Sequence, residues 1–474
     1  MIGSTKETLS VTPVYIGVHI QKNRSTFPFF VYNCLVRLLV TSIFAFLFIA
    51  CSNADYDSGI LSPQNDHEPG TYRNITTQNT QKMIRAVTDD IFELPFAGLP
   101  RIAIATETLE DPEDVTTEMP AIAILYNYDN AVTDTIGLTI RGRGNTSFSM
   151  PKKSFKIEFL DKISPYGMPK NRDWALLANY GDKTLLKNHI AFKLSEWLGM
   201  EYTPRSQFVE LFLNGSYRGI YQLCETIKVG KKRINIPENQ NSYLVEIDRK
   251  YRDDDIVVFS EREVPFRIRS PKDPTEETKE ILRKHLDSLE GYLEYIHQDY
   301  TLALDSTPDN WFDVEDFIRH YWIQEFAKNS DAIPLTSVFF TWQVGDVIRM
   351  GPVWDFDAAF GSPKERESPE GWYIRDYSWY RRMAKMPNVA DSIKAFWTRN
   401  HAIFEALPDS IEAYAEEIST AAWNNYYRWP EVLENIDDFL HTRAYDDYDE
   451  AVEDLKSWVR ERTAWIDENI KSFR

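Results

Sequence analysis

The sequence predicts an α+β protein in which a β-rich N-terminal part is followed by a mainly helical C-terminal part. Short β-type runs separated by acidic or Asn/Asp turns, a pattern typical of strands, recur up to about residue 248. From residue 273 onward, apolar residues mostly recur every three or four positions, which is typical of helices. The 474-residue chain can supply two or three domains of ordinary size. This order of elements fits a two-lobed α+β architecture.

A targeting segment precedes the predicted fold. Residues 38–50 form an apolar run that is too short to span a membrane comfortably and has the length of a signal-peptide core. The sequence that ends at Cys51, LFIAC, resembles a bacterial lipobox, although Phe48 stands where that motif usually has leucine. We therefore expect a signal peptide over residues 1–50 and lipid attachment at Cys51. A cleaved secretory signal with an unmodified cysteine is the alternative.

The segment after Cys51 is polar and poor in large apolar residues up to about residue 94. We expect residues 51–98 to be a lipidated tether that holds the folded part at a membrane of the bacterial cell envelope. The folded part is predicted to divide into a β-rich lobe, residues 99–270, and a mainly helical lobe, residues 271–474. Without the signal segment, Cys224 is left as a single thiol, so no intrachain disulfide is expected.

The charge balance argues against a nucleic-acid partner. The chain has 53 basic and 73 acidic residues, a formal net charge of -20, and no lysine-rich or arginine-rich block. Binding to a phosphate backbone needs a basic surface, which this composition does not provide.

A glycine-rich turn, RGRGNTS at residues 141–147, lies within the β-rich part. Strand-like runs precede it at residues 102–105, 121–126 and 136–141. Glycines let backbone N–H groups approach phosphate oxygens closely, but a plain hairpin turn needs the same glycines. In the next strand-like run, residues 154–159, alternation predicts that Lys153 shares the buried face and that Lys156 is solvated. A twist or a bulge at Pro151 would reverse the two lysines.

The remaining elements follow from turn and capping signals. Two strands, residues 208–213 and 219–226, are joined across Asn214-Gly215, a strong hairpin signal, and Glu225 stands at the end of the second. A further strand is predicted at residues 243–248. Helices are predicted at residues 182–199 with Asp182 as the cap, after the capping box at residues 273–276, and at residues 312–328, 392–406, 409–428 and 450–473.

Two acidic residues one position apart, Asp355 and Asp357, lie in the apolar sequence GPVWDFDAAFG. If residues 347–354 form a strand, both side chains point to the same side at its end. Two carboxylates in such a setting can hold a hard cation such as Mg²⁺. A turn with solvated acids is the alternative, and a lone D-x-D pair does not decide between the two.

Four segments in this order resemble the CotH kinase family: RGRGNTSFSMPKKSFKIEF, LLANYGDKTLLKNHIAFKLS, VELFLNGSYRGIYQLCETI and GPVWDFDAAFG. The resemblance covers about residues 100–365, with a weaker similarity in the last helix. It implies an atypical kinase-like fold with two lobes. It also implies transfer of the ATP γ-phosphate to hydroxyl groups of a protein substrate, with ATP and Mg²⁺ as cofactors.

The resemblance implies a role for each matching residue. Asp355 would bind Mg²⁺ with Asp357 as a second ligand, and Asp331 would be the catalytic base. The phosphate loop would be Arg141, Gly142, Arg143, Gly144 and Asn145, the nucleotide lysine Lys153 or Lys156, and Glu225 would lie near the adenine. Asp182, Lys187 and Asn188 match a family helix for which the sequence gives no role. Many relatives have an asparagine five or six residues after the base, where this chain has Thr336-Ser337, so weaker metal binding is expected.

Two other functions remain open at this stage. One is a different nucleotide-dependent transfer such as adenylylation. Little ATP is available outside the inner membrane, so a kinase located there needs a nucleotide source or a different phosphate donor. The other is a catalytically weak protein that binds glycan or protein, because aromatic clusters at residues 372–373, 379–380 and 423–429 could stack on sugar rings as well as form core. A kinase needs Asp331, Asp355 and a lysine around one cleft. A glycan-binding protein needs exposed, coplanar aromatic side chains.

Overall fold

The computed structural model describes residues 95–298, 308–333, 336–362, 368–434 and 443–473. The predicted signal peptide, Cys51 and almost all of the tether lie outside these residues. The described chain contains both sheets and helices, with a β-rich N-terminal part and a mainly helical C-terminal part. The predicted α+β class is therefore confirmed. No helix in these ranges is long and apolar enough to cross a membrane.

A closed seven-stranded barrel forms the N-terminal part. Its strands are β1 Arg101–Thr106, β2 Met119–Tyr126, β3 Val132–Arg143, β4 Ser154–Ile163, β5 Asn171–Leu177, β6 Ser206–Leu213 and β7 Ser216–Glu225. The strand order is β1-β2-β3-β4-β5-β7-β6, and parallel pairing of β1 with β6 closes the barrel. Inward-facing residues such as Ile140 and Ile157 fill its core. The hairpin predicted across Asn214-Gly215 is confirmed by the antiparallel pairing of β6 and β7.

A second, antiparallel sheet lies outside the barrel. Its strands are β8 Ser242–Ile247, β9 Val257–Phe259, β10 Pro265–Ser270, β11 Val338–Gln343 and β12 Arg349–Met350. The order β12-β11-β8-β10-β9 places β11 beside β8, although the paired residues, from Ile247 with Val338 to Ser242 with Gln343, are far apart in sequence. The strand predicted at residues 347–354 is wrong beyond Met350. Pro352 has no N–H to donate to a ladder, and Gly351, at φ 103°, turns the chain away from the sheet.

The helices lie mainly in the C-terminal part. They are α1 Thr146–Ser149, α2 Lys187–Trp197, α3 Glu276–Gln298, α4 Val314–Ala327, α5 Ser378–Ala384, α6 Pro387–Glu405, α7 Leu407–Arg428, α8 Glu431–Glu434 and α9 Tyr448–Asn469. Short 3₁₀ turns occur at Pro165–Gly167, Pro308–Asn310, Ile374–Asp376 and Ile470–Ser472.

Two helices begin later than the sequence predicted. The helix expected from Asp182 begins at Lys187, because Leu185 has a left-handed backbone, φ 62°, that a helix cannot contain. Asp182 still accepts a hydrogen bond from the Lys187 N–H at 2.7 Å and so leads the chain into α2. The helix expected from residue 273 begins at Glu276, and the Thr275 hydroxyl caps it by accepting the Thr278 N–H at 3.1 Å.

One large hydrophobic core joins the helices, the second sheet and the outer face of the barrel. Its members include Ile220 of β7, Val245 of β8 and Trp322 of α4. Cys224, also from β7, is buried in this core as a free thiol. Part of the outer face of the barrel, on β6 and β7, is therefore a packing surface against this core.

Candidate active site

A cleft of about 650 Å³ is lined by the barrel on one side and by the second sheet and the segments around residues 331 and 355 on the other. Nine basic side chains line it: Arg141, Arg143, Lys156, Lys228, Lys250, Arg252, Arg267, Arg269 and Lys272. Six acidic side chains line it as well: Asp173, Glu246, Asp248, Asp331, Asp355 and Asp357. This excess of positive charge contrasts with the net charge of -20 for the chain. The cleft therefore suits an anionic ligand.

Three carboxylates converge in the cleft. Asp331, Asp355 and Asp357 each offer one oxygen, and these atoms lie within 4.8 Å of one another. Burial and the charge of Asp355 raise the pKa of Asp331 to about 7. Burial and the charges of Asp355 and Asp331 raise the pKa of Asp357 well above its ordinary value. A bound divalent cation would relieve this repulsion, and an oxygen-only donor set suits Mg²⁺. The three residues thus fit a metal ion.

Hydrogen bonds from two other segments hold the backbone around Asp355. The Asn188 Oδ1 atom of α2 accepts the N–H of Phe356 at 2.8 Å. The Asn329 Nδ2 atom donates to the carbonyl of Asp355 at 3.0 Å. Asp355 has φ 68°, a conformation that non-glycine residues rarely adopt, so these contacts maintain a strained backbone. The family helix that had no derived role therefore positions a candidate metal ligand.

The end of α4 brings Asp331 to the same place. Lys328 ends the helix in a left-handed conformation, and the Asn329 Oδ1 atom then accepts the N–H of Asp331 at 3.2 Å. The Ser330 hydroxyl donates to the carbonyl of Ala358 at 2.9 Å. Two segments that are 24 residues apart in sequence are thus joined by side-chain hydrogen bonds.

The pair that replaces the expected asparagine also lies at this site. The Ser337 hydroxyl donates to the Asp355 Oδ2 atom at 3.3 Å. The N–H of Thr336 donates to the carbonyl of Asp331 at 3.0 Å. Both residues line the cleft. Ser337 therefore places a hydroxyl directly beside the candidate metal ligand.

Most of the glycine-rich turn lines the cleft, but Gly142 does not. Arg141, Arg143, Gly144 and Asn145 are lining residues. The Gly142 N–H is used by a hydrogen bond of 2.9 Å to the carbonyl of Asp114. A side chain at Gly142 would overlap the Phe148 ring, so this glycine serves local packing.

Arg143 contacts both sides of the cleft. Its guanidinium lies 5.0 Å from the ring centroid of Trp354, the residue before Asp355. Burial lowers the pKa of Arg143, and the charges of Asp355 and Glu246 act in the opposite direction. Arg143 therefore links the barrel to the candidate metal-binding segment.

The structure confirms that Lys156 lies on the face of β4 opposite Phe155 and Ile157, but the expectation that Lys153 is the buried lysine is wrong. Phe155 and Ile157 face the barrel interior, so Lys156 between them faces outward and lines the cleft. The Lys156 Nζ atom lies 3.3 Å from Glu158, 3.5 Å from Glu118 and 3.8 Å from Asp173. Lys153 precedes β4, does not line the cleft, and has its Nζ atom 4.6 Å from the Phe148 ring centroid. The expectation failed because the buried face of β4 belongs to the barrel interior and the cleft lies outside the barrel.

Glu225 does not line the cleft either. Its carboxylate is buried and accepts hydrogen bonds from Arg205, with an Nε–Oε2 distance of 2.9 Å, and from the Tyr202 hydroxyl at 3.2 Å. Arg233 lies 3.5 Å away on the other side. The residues that follow it, Thr226, Ile227 and Lys228, do line the cleft. The segment after β7 therefore borders the cleft, while the side chain of Glu225 stabilises the fold.

Several basic residues of the cleft were missed by the sequence reasoning. Arg267 and Arg269 lie in β10, where they alternate with the buried Phe266 and Ile268. That alternation is a signal of a basic strand face. The local sequence does not show that this face of β10 lines the cleft with Asp331 and Asp355. The position of β10 depends on the pairing of β8 with both β10 and β11.

The aromatic clusters are mostly core. Tyr373, Trp379, Tyr380, Tyr426 and Trp429 are buried. Two residues of α7 differ from them: 61% of Trp423 and 72% of Tyr427 is exposed. Their rings are nearly parallel, at 13°, with centroids 5.8 Å apart.

The fold and the cleft define an α+β protein with a candidate metal site among basic side chains. Residues 140–466 match the family model described as CotH kinase protein. The chain therefore belongs to the CotH kinase family and is a kinase-like protein. The match extends past residue 365, where the resemblance was expected to fade, and includes most of α9. No curated protein sequence gives a significant match.

Proposed function

We propose that this protein transfers the γ-phosphate of ATP to serine or threonine hydroxyls of a protein substrate, with Mg²⁺ as cofactor. One observation carries the proposal: Asp331, Asp355 and Lys156 line a single cleft, which is the arrangement that a kinase needs and a glycan-binding protein does not. In this proposal the barrel serves as the N-terminal lobe of a kinase-like fold and the helical part as the other lobe.

Each group has a role that follows from its charge. Asp355 and Asp357 would hold Mg²⁺, which neutralises negative charge on phosphate oxygens when bound. Lys156 and Arg143 would contact phosphate oxygens from the side of the barrel. Asp331 would orient the acceptor hydroxyl and accept its proton.

The test is a transfer assay with ATP that is radiolabelled at the γ-phosphate or at the α-phosphate. We expect the wild type to pass the γ-label to itself or to added protein acceptors, and Asp331→Asn to lose at least about 10²-fold of the rate. Asp391→Asn, a change at an exposed residue of α6 that pairs with Lys394, is the matched control. Transfer of the α-label would indicate adenylylation. Transfer of neither label would refute the proposal.

We also propose that Cys51 carries a lipid that anchors the protein in the bacterial cell envelope. The support is the lipobox-like sequence ending at that residue. Cells given a labelled fatty acid should incorporate it into the wild-type chain and not into Cys51→Ser. Label in both chains, or in neither, would count against lipid attachment at Cys51.

A second candidate function, glycan binding, has one supporting observation. The parallel, exposed rings of Trp423 and Tyr427 can stack on sugar rings. Affinity electrophoresis in gels containing polysaccharide would detect it as retardation of the wild type that Trp423→Ala abolishes. Equal mobility of both proteins in every polysaccharide would remove this candidate.

A further inference from the structure

The second sheet brings Lys250 to the part of the cleft that contains Asp331. Ile247, the last residue of β8, pairs with Val338, the first residue of β11. Since the two strands are antiparallel, the chain that leaves β8 runs beside the chain that enters β11, which contains Thr336 and Ser337. The Asp248 Oδ1 atom accepts the N–H of Lys250 at 2.8 Å and fixes this turn. Lys250 thus lies next to the segment that follows Asp331.

Lys250 is an exposed lysine at the edge of the cleft, and none of the ion pairs among the described residues includes it. Lys250 lines the same cleft as Asp331, and its charge acts on the Asp331 carboxylate. Lys156 and Arg269, by contrast, each lie within 3.3 Å of a glutamate. In the part of the chain that the structure describes, Lys250 makes no ion pair within 4.0 Å. Its charge is therefore free to bind an anionic group that enters the cleft.

The turn that carries Lys250 also reaches the opposite wall. The Arg252 guanidinium donates to the Asn145 Oδ1 atom of the glycine-rich turn, with a donor–acceptor distance of 3.4 Å. This contact connects the segment after β8 to the side of the cleft proposed to bind phosphates. The segment that carries Lys250 therefore contacts the glycine-rich turn and lies near Asp331, the candidate base.

We propose that Lys250 is a catalytic residue of phosphoryl transfer, whose ammonium binds oxygens of the γ-phosphoryl group; this inference rests on the proposed function. In that step the acceptor oxygen forms a bond to the γ-phosphorus while the bond from phosphorus to the β,γ-bridging oxygen breaks. The hydroxyl proton passes to Asp331, and the electron pair of the broken bond leaves with ADP. Lys250 stabilises the group in transit because a fixed cation next to developing charge lowers the barrier.

Two variants and one control test this role in the full chain. Lys250→Met removes the charge, Lys250→Arg keeps it, and Arg249→Met removes a neighbouring exposed charge that does not line the cleft. The readouts are the rate of γ-phosphate transfer and the calorimetric affinity for a non-hydrolysable ATP analogue and for ADP, each with Mg²⁺. The second readout does not depend on turnover.

We expect Lys250→Met to lower kcat about 10²-fold. Its affinity for the ATP analogue should fall about tenfold, while its affinity for ADP should stay the same because ADP lacks the γ-phosphate. Lys250→Arg should recover part of both losses, and Arg249→Met should behave as the wild type. A wild-type kcat in Lys250→Met, or equal weakening of analogue and ADP, would overturn the inference and leave the proposed function intact. If the wild type neither binds the ATP analogue nor transfers the γ-phosphate, the proposed function and the inference about Lys250 both fail.

Discussion

At the residue scale, Ser337 is the clearest departure from the expected family pattern. Its hydroxyl contacts Asp355 at 3.3 Å, at one of the two positions where the family resemblance led us to expect an asparagine. Its backbone has φ 57°, a left-handed conformation that asparagine tolerates better than most residues. The site can therefore accept an asparagine without a change of backbone.

We predict that Ser337→Asn tightens Mg²⁺ binding about tenfold in the presence of a fixed ATP analogue. An amide carbonyl is a stronger ligand for a hard cation than a neutral hydroxyl. Titration with Mg²⁺ would measure the change, and Ser337→Ala, which removes the hydroxyl, should bind no tighter than the wild type. Equal affinity of Ser337→Asn and the wild type would show that residue 337 does not act on the metal.

His320 makes stability depend on pH. It is buried in α4, where its Nδ1 atom lies 2.9 Å from the Tyr380 hydroxyl, and burial lowers its pKa to about 3. The unfolded chain protonates this histidine below about pH 6.5, whereas the folded chain does so only near pH 3. Between these values the unfolded state binds more protons, so stability falls as the pH falls.

At pH 5 this one group lowers the free energy of unfolding by about 2 kcal/mol relative to neutral pH. His320→Gln keeps a polar partner for Tyr380 and does not titrate. Urea denaturation at pH 7.5 and pH 5 should therefore show a loss about 2 kcal/mol smaller for the variant than for the wild type. The same loss in both proteins would mean that His320 is protonated in the folded state or does not contribute.

At the element scale, a buried ion pair joins the last helix to the helix that delivers Asp331. The Arg462 guanidinium of α9 donates to the Glu325 carboxylate of α4 at 2.7 Å and to the carbonyl of Gly371 at 2.7 Å. Both charged side chains are fully buried. Since the family match extends to residue 466, this contact lies within the shared part of the fold.

We predict that Arg462→Met destabilises the protein by about 3–5 kcal/mol, because it leaves the Glu325 carboxylate buried without its partner. Arg460→Met, at an exposed residue of the same helix that pairs with Glu453, should cost less than about 1 kcal/mol. Chemical denaturation measures both. A cost for Arg462→Met below that of the control would show that the pair does not hold α9 in place.

Local patterns predicted most elements, and errors arose where neighbours in space decide the outcome. The hairpin at Asn214-Gly215 and the strand character of β4 follow from turn chemistry and alternation within the segment. The start of α2 was misplaced because the left-handed backbone of Leu185 depends on packing. Alternation correctly placed Lys156 on the face of β4 opposite the apolar residues, but it did not reveal that this outer face lines a cleft.

The same distinction applies to the candidate site. The pair of acidic residues one position apart predicted Asp355 and Asp357, and the family resemblance predicted Asp331. The structure places the three carboxylates together. Glu225 was given a ligand role that its ion pair with Arg205 does not support. Lys250 and the arginines of β10 were missed because their position depends on strand pairing over long sequence distances, which periodicity does not encode.

At the scale of the whole molecule, an acidic protein forms a cleft in which basic residues outnumber acidic ones. The barrel supplies Arg143 and Lys156, and the second sheet supplies Arg267 and Arg269. The three clustered carboxylates come from the segments after α4 and β12. A polyphosphate with a bound cation matches both sets of charges, because its phosphate oxygens can pair with the basic side chains and its cation with the carboxylates. We therefore expect nucleotide and metal to bind together.

The most direct measurement is a calorimetric titration of the protein with ATP in the presence and absence of Mg²⁺, repeated on Asp355→Ala. The account predicts binding by the wild type that requires Mg²⁺ and is lost in Asp355→Ala, while Asp391→Asn binds as the wild type does. Absence of binding by the wild type at millimolar ATP, or binding that is the same without Mg²⁺ and in Asp355→Ala, would contradict it.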